Sequence, residues 1–376
     1  MQQLIFVQPI PLTSVKEKMF YLQELISAGF HVQFWNLAPF TFPKLRLTDQ
    51  IEPNYNINIQ SFSELVDLLE QTDVSRTLFI ADLDEGWMNR HLLLLFKQKK
   101  CILWRIYVHT TIGCNQFTLW QNFRYLLRQN VSQAFKYAVR GIQYKLLMYR
   151  HGFFGNPYDK FISSGNNPHI DQAINHYDWE QYKRIQQLPS IIDGTYAVFI
   201  DQYFPLHPEY QHKQPDSNSD AIRHYQELMC RFFDHMERLH NVKIVIAAHP
   251  QAKYAANQFG NRLIIKYKTA ELINHADFVI MHGSAAIGYA VMADKPIIFV
   301  TTDYYNSFTR PFAHLKDLSR RFSLPLYNLD HITLSDVEPQ KADSKVRKNY
   351  LYHYLTTIGI ETDSSLQILI NLFNQI

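Results

Sequence analysis

The segment FVIMHGSAAIGYAVMADKPIIFV, residues 278–300, decides how this sequence folds. Four apolar residues, 278–281, have the length and composition of a strand buried on both faces. They run straight into His282-Gly283-Ser284, and a helical stretch of small residues, 285–293, follows. A second apolar run, PIIFV, occupies 296–300. Strand, turn, helix and strand make a βαβ unit, the repeating element of an open parallel sheet. Gly283 lets a backbone approach a ligand closely. Ser284 stands where an N-cap stands, so the N–H groups at the helix head, from Ala285 onward, point outward and can receive a phosphate. The alternative is an ordinary serine cap with no ligand.

The same pattern extends on both sides. Residues 196–201 (YAVFID), 243–248 (KIVIAA) and 263–266 read as strands, with amphipathic helices over 221–240 and 269–275. Ligands of open parallel sheets sit at the carboxyl ends of the strands, and His249-Pro250 begins at such an end. Pro250 stops further pairing. An imidazole there can donate to a phosphate oxygen or protonate a leaving group, because its pKa lies near neutrality. By itself it is equally a loop histidine in a chain with 17 of them. Thr269 and Glu271 open the helix between the two motifs and add polar groups to the same edge. Asp201 and Gln202 end the 196–200 strand and either face a cleft or form a structural loop.

Upstream, residues 4–8 (LIFVQ), 31–35 (HVQFW), 77–81 (TLFIA) and 101–108 (CILWRIYV) are strands, alternating with helices over 15–28, 62–70 and 92–99. Ser61 or Ser63 caps the second of these helices. Residues 116–150 are helical, and 152–190 read as a linker. A last helical stretch, 350–376, packs back on the N-terminal half. The chain therefore divides into an N-terminal domain (1–190, with the insert 116–150), a second domain (191–349) and a C-terminal helix.

Bulk composition excludes several classes. With 376 residues, 47% of them hydrophobic, the chain buries real cores. Its net charge is only +3, but no Asp or Glu occurs between Gly86 and Tyr158, a stretch rich in Lys and Arg. A one-sign block points to an anionic partner. In the insert, Arg124/Arg128 and Lys136/Arg140 are i,i+4 pairs among aromatic residues, which suits an anionic membrane surface better than nucleic acid, for which no motif is present. The default for such residues is a solvated helix face. Three scattered cysteines form no disulfide framework, which fits a reducing cytoplasm. No apolar run is long enough to cross a membrane, and no signal peptide is expected.

Taken together, the His249-Pro250 motif and the Ser284 turn resemble the donor-binding domain of GT-B glycosyltransferases of bacterial surface polysaccharides. The likeness is to the HP-motif group containing sialyltransferases and transferases of Kdo-like ulosonic acids, and CDP-glycerol phosphotransferases look similar. It covers residues 195–300 best. The resemblance implies an α/β fold of two Rossmann-like domains with an interdomain cleft. It also implies a nucleotide-sugar donor, first a CMP-linked one, whose phosphate contacts His249 and Ser284, and a glycan or lipid-linked glycan acceptor; no metal or other cofactor is expected. In the N-terminal half Asp84-Glu85-Gly86 resembles the acidic motif that supplies the general base to the acceptor hydroxyl, with Asp82 a competing carboxylate and an exposed acidic turn the alternative. Asp82-Leu83-Asp84 also has the form of a metal-binding D-x-D, but stands far from His249 in sequence. The rival readings are a UDP- or GDP-hexose transferase, a CDP-polyol phosphotransferase, and a non-catalytic scaffold subunit of a polysaccharide assembly complex.

Overall fold

The computed structural model describes residues 3–45, 47, 49–108, 131–165, 170–207, 219–254 and 258–376. Packing divides the chain into two units. One runs to Asn175 and takes in Thr357–Ile376; the other comprises His176–Thr356.

The first unit is built on seven strands: β1 (Gln3–Gln8), β2 (His31–Asn36), β3 (Asn56–Asn58), β4 (Thr77–Ala81), β5 (Ile102–Tyr107), β6 (Lys160–Ser164) and β7 (Gln172–Ile174). They lie in the order β3-β2-β1-β4-β5-β6-β7, and every pair is parallel. A parallel sheet is covered on both faces, so its strands are apolar at successive positions, not alternate ones. β1 shows how this works. Leu4 and Phe6 enter a core with Leu22, Leu25, Leu369 and Phe373, whereas Ile5 and Val7 enter a second core with Leu65, Leu69, Leu93 and Phe96. Ser61 is the cap of the helix Phe62–Gln71: its hydroxyl accepts from the Glu64 N–H at 3.1 Å, and the Glu64 carboxylate accepts from the Gln60 N–H at 2.7 Å.

The second unit holds β8 (Tyr196–Ile200), β9 (Lys243–Ala248), β10 (Gln258–Asn261), β11 (Ile264–Lys266), β12 (Val279–Met281), β13 (Ile297–Thr301) and β14 (Leu326–Asn328). Its sheet runs β11-β9-β8-β12-β13-β14, again parallel throughout. The helix Ser219–His240 buries Tyr225, Leu228, Met229, Phe232, Phe233 and Met236, which recur at helical spacing along one face. The fold class is therefore α/β with two Rossmann-like units. In each sheet the chain first works outward to one side of its initial strand and then crosses to the other. The gaps beside β1/β4 and β8/β12 are therefore the switch points where such sheets hold ligands.

Three boundaries differ from expectation. The stretch read as a linker supplies β6 and β7, which complete the first sheet, and the helix Tyr177–Ile185. Asn175 and His176 mark the crossing: the Asn175 N–H donates to Ser365 Oγ at 2.9 Å, and the His176 N–H donates to the Leu355 carbonyl at 2.8 Å. The second unit begins there, not at 191, because Ile185 lies in its core. The C-terminal segment is also split, with Tyr350, Tyr354 and Leu355 in the second core and Leu369 and Phe373 in the first. The helix expected over 15–28 is two, Ser14–Met19 and Leu22–Ser27, because Tyr21 takes a left-handed conformation between them, at φ 54°.

Candidate functional site

At the first switch point, β1 ends in Gln8 and Pro9, and β4 delivers Asp82. A polar cluster surrounds that carboxylate. Arg105, a buried residue of β5, reaches Asp84 Oδ1 at 2.9 Å and Asp82 Oδ1 at 3.4 Å. Its guanidinium lies 4.4 Å from the centre of the Tyr107 ring. Lys16 donates to Gln8 Oε1 at 3.1 Å. Burial raises the Asp82 carboxyl above the ordinary range, against the pull of Arg105 and Lys16. Burial also lowers Lys16 to about 8, with Asp82 resisting. Glu85 is raised too, by the protein packed around it, with Arg105 opposing.

Asp82, Asp84 and Glu85 line one cavity of about 1590 Å³, walled by Phe40, Phe42, Phe62, Trp87 and Tyr144. The two aspartates differ sharply. The Asp84 side chain is 92% exposed and tied to Arg105, whereas Asp82 sits deeper with its proton affinity raised. A carboxylate of raised proton affinity is better suited to take up a proton than one tied to a guanidinium. The loop beyond is braced: Asn89 Nδ2 donates to the Asp84 carbonyl at 3.0 Å, and the Arg90 guanidinium stacks 3.8 Å from the Trp87 ring centre.

At the second switch point the expected residues arrive on one sheet edge, with Thr269 after β11, His249 after β9, Asp201 after β8 and His282 after β12. His249 Nδ1 accepts from the Gln251 N–H at 3.1 Å. In the neutral ring Nε2 then carries the proton and is the donor. The His207 ring lies edge-on, 5.0 Å away. Asp201 is buried, and burial pushes its carboxyl up to about 6, although the Tyr254 hydroxyl and the His249 N–H, at 3.4 Å, both donate to it. Asp201 thus fixes the backbone that presents His249. Gln202 donates from Nε2 to the Gly283 carbonyl and accepts from the Tyr305 hydroxyl at 3.0 Å, bridging β8 to β12. Glu271 is engaged by Lys268 at 2.8 Å, and Thr269 is half-buried at the helix head.

The His282-Gly283-Ser284-Ala285 turn departs from expectation. His282 is fully buried; its Nδ1 faces the Val300 carbonyl at 2.7 Å, its Nε2 faces the Tyr225 hydroxyl at 2.8 Å, and its ring stacks on Tyr305. It is a core histidine with both ring nitrogens engaged within the protein. Gly283 is small for packing: a Cβ there meets His314 Cδ2 at 2.9 Å and the Leu315 N and Cα at 3.2 and 3.3 Å. The helix begins at Ile287, not 285. Ser284 Oγ accepts from the Ala286 N–H at 3.2 Å, and the N–H groups of Ile287, Gly288 and Tyr289 bond to the carbonyls of Ser284, Ala285 and Ala286. Most of the outward-pointing donors expected there are used within the turn.

Burial lowers His282 to about 4, below its ordinary 6.5. The unfolded chain therefore binds the proton more readily, and the stability due to neutral His282 is complete above 6.5 and lost as pH falls toward 4, by roughly 3 kcal/mol. Asp201 runs the other way, its contribution complete below 3.8 and lost as pH rises through 6. The two offset each other in the native protein. His282→Gln is expected to remove one arm, so that it loses less stability than the native protein on acidification from pH 6 to 4, read from urea midpoints. Parallel curves for variant and native protein would contradict this.

Of the four basic residues expected to face a membrane, Arg124 and Arg128 lie outside the described residues. Lys136 and Arg140 are on the helix Val131–Arg150. Much of the basic block is otherwise absorbed: Lys97 pairs with Asp159, Lys99 with Glu70, and Arg105 with Asp82 and Asp84. Two features escaped sequence reading. Lys16 lies on a short helix with no motif around it. Asp303 and Asp330, beyond β13 and β14, form a network in which His331 meets Asp303 at 2.8 Å, His224 meets Asp330 at 2.9 Å, and the Asp303 N–H donates to Asp330. The signal for the latter was the strand PIIFV followed by Thr-Thr-Asp. No metal-binding cluster of His, Cys, Asp or Glu occurs among the described residues.

No family's sequence pattern matches the chain, and no curated protein matches it in sequence. By structure it is similar to the wall teichoic acid polymerase TagF, at 11% identity and TM-score 0.50, over 100% of this chain and 89% of that one. It is also similar to UDP-GlcNAc 2-epimerase from Methanocaldococcus jannaschii (10%, TM-score 0.47, 100% of both chains) and to the spinosyn forosaminyltransferase SpnP (12%, TM-score 0.44, 100% and 95%). At these identities the likeness to TagF establishes a shared fold.

Proposed function

We propose that the protein is a metal-independent glycosyltransferase that moves a sugar from a nucleotide donor to a glycan acceptor. Two observations, one in each unit, support this most directly: a carboxylate of raised proton affinity lining a cavity at one switch point, and at the other a histidine whose Nδ1 accepts from a backbone N–H and whose own backbone N–H is held by a buried aspartate. In the reaction, Asp82 takes the proton of the acceptor hydroxyl as that oxygen bonds to the anomeric carbon. The bond from that carbon to the phosphate oxygen breaks, its electron pair leaves on the phosphate, and His249 Nε2–H stabilises the growing charge. A single displacement of this kind inverts the anomeric centre.

The resemblance noted from the motifs favours a CMP-linked ulosonic acid as donor, in assembly of a capsule or lipopolysaccharide. A panel of CMP, CDP, UMP, UDP and GDP in thermal-shift assays tests the reading, because a ligand bound only by the folded state raises the melting temperature by mass action. Stabilisation by CMP, lost in His249→Ala, is the expected outcome. Stabilisation by UDP or GDP moves the donor to a hexose, and no shift from any nucleotide leaves a scaffold subunit.

The same proposal places the protein on an anionic membrane surface. Val131, Phe135, Val139, Ile142, Leu146 and Tyr149 are 48–63% exposed and fall on one stripe of their helix. Lys136, Arg140, Lys145 and Arg150 share that helix, which carries no acid. Aromatic and aliphatic groups beside cations suit the interface of an anionic bilayer. No helix among the described residues is long and apolar enough to cross a membrane. Replacing Arg124, Arg128, Lys136 and Arg140 by Ala is expected to reduce co-sedimentation with phosphatidylglycerol vesicles severalfold, at roughly 1 kcal/mol per cation near the surface. Unchanged binding rejects this part of the reading.

A further inference from the structure

The cavity of the first unit is poorly matched to a bare sugar. At about 1590 Å³ it is larger than the roughly 300–1,000 Å³ of common small-molecule sites. Its walls include Phe40, Phe42, Phe62, Trp87, Met88 and Leu92, far more apolar surface than a hydroxylated ring covers. Its charged lining is divided between two elements: the acids lie on the loop after β4, and Arg140 and Lys145 come from the helix Val131–Arg150. Among the described residues neither cation has an acidic partner. Ile142 lines the cavity and also belongs to the exposed apolar stripe of that helix, so cavity and stripe are continuous.

Resting on the reading of this unit as the acceptor side, we infer that the cavity holds the apolar anchor and phosphate of a lipid-linked acceptor. The aromatic walls take the hydrocarbon chain. Arg140 and Lys145 take the phosphate, whose negative charge they complement. The hydroxyl to be glycosylated lies toward Asp82. A chain entering beside Ile142 passes from the bilayer into the protein with little exposure to water, which keeps the hydrophobic contribution along its length.

Gly141 makes the inference testable. It lines the cavity, and a Cβ built on it meets nothing within 4 Å. Gly141→Leu therefore projects an apolar side chain into the cavity while replacing a helix-interior glycine by a good helix former, so the variant is expected to fold. Binding of farnesyl phosphate, farnesol and inorganic phosphate to the full chain would be measured by calorimetry. Farnesyl phosphate is expected to saturate the native protein and to bind about tenfold more weakly, or worse, to Gly141→Leu and to Arg140→Ala/Lys145→Ala. Farnesol is expected to bind weakly and inorganic phosphate not at all. Absent farnesyl phosphate binding, or affinity unchanged in Gly141→Leu, overturns the inference, as does phosphate alone binding as tightly. The nucleotide-induced thermal shift, which depends on His249 in the other unit, is read on the same variants. Its failure rejects the glycosyl-transfer reading and leaves the lipid measurement standing by itself.

Discussion

Asp82→Asn is expected to lower kcat by about 10²–10⁴-fold, the range associated with loss of a general base. Asparagine keeps the shape of the side chain and its contact with Arg105 but cannot accept the acceptor proton. Asp84→Asn is expected to lose less than about tenfold on the same scale, because the Asp84 side chain is 92% exposed and acts on Arg105. The two variants also separate by pH. With Asp82 as the proposed base, the rate of the native protein is expected to fall on the acid side as Asp82 protonates, and that fall is expected to begin above the ordinary aspartate range because burial raises its pKa. The acid limb persists in Asp84→Asn and disappears from the residual activity of Asp82→Asn. A larger loss in Asp84→Asn would return the role to the residue that the sequence motif indicated.

Gly283→Ala tests the other switch point. The added methyl collides with the tip of His314, which can turn aside, and with the backbone of Leu315, which cannot. The helix Thr309–Phe322 must shift, and overpacking of this kind costs about 1–3 kcal/mol. For a unit of this size that lowers the melting temperature by about 2–4 °C per kcal/mol. Nucleotide affinity of the folded variant is expected to stay within about twofold, since no ligand contact is removed. Undiminished stability with lost nucleotide binding would mean that the glycine makes room for a ligand after all.

The architecture was legible wherever strands are buried on both faces. β1, β2, β4, β5, β8, β9, β12 and β13 announce themselves as apolar runs because most of their side chains, on both faces, are buried. β3, β7 and β14 have three residues each, and β6 carries Ser163 and Ser164 into a buried position. Edge and near-edge strands of that kind have no apolar run to reveal them, and their pairing is decided by neighbours far away in sequence. The site was legible to the level of the sheet edge. His249, Asp201 and the acidic loop stand just beyond the ends of β9, β8 and β4, where the apolar runs put them. Those runs could not distinguish a histidine that looks outward from one that looks inward. His249 and His282 occupy equivalent places after β9 and β12. Only His282 is met by Tyr225 from the helix Ser219–His240 and by Tyr305 from beyond β13, and both contacts are tertiary. Likewise, the relative depth of Asp82 and Asp84 depends on Arg105, a residue of another strand.

The double crossing of the chain at Asn175/His176 and Thr356/Thr357 has a consequence for biosynthesis. Everything the second unit needs emerges from the ribosome as one continuous run, so it can close its core as soon as that run is out. The first unit must wait. Its sheet is complete once β7 has appeared, but the face formed by Leu4, Phe6 and Trp104 is covered only in part, by Phe20, Leu22 and Leu25, until Leu369 and Phe373 arrive. Domains that fold during synthesis usually do so in order from the N-terminus. Here the later-made unit is expected to finish first, and the half-covered earlier sheet is the species for a chaperone to shield.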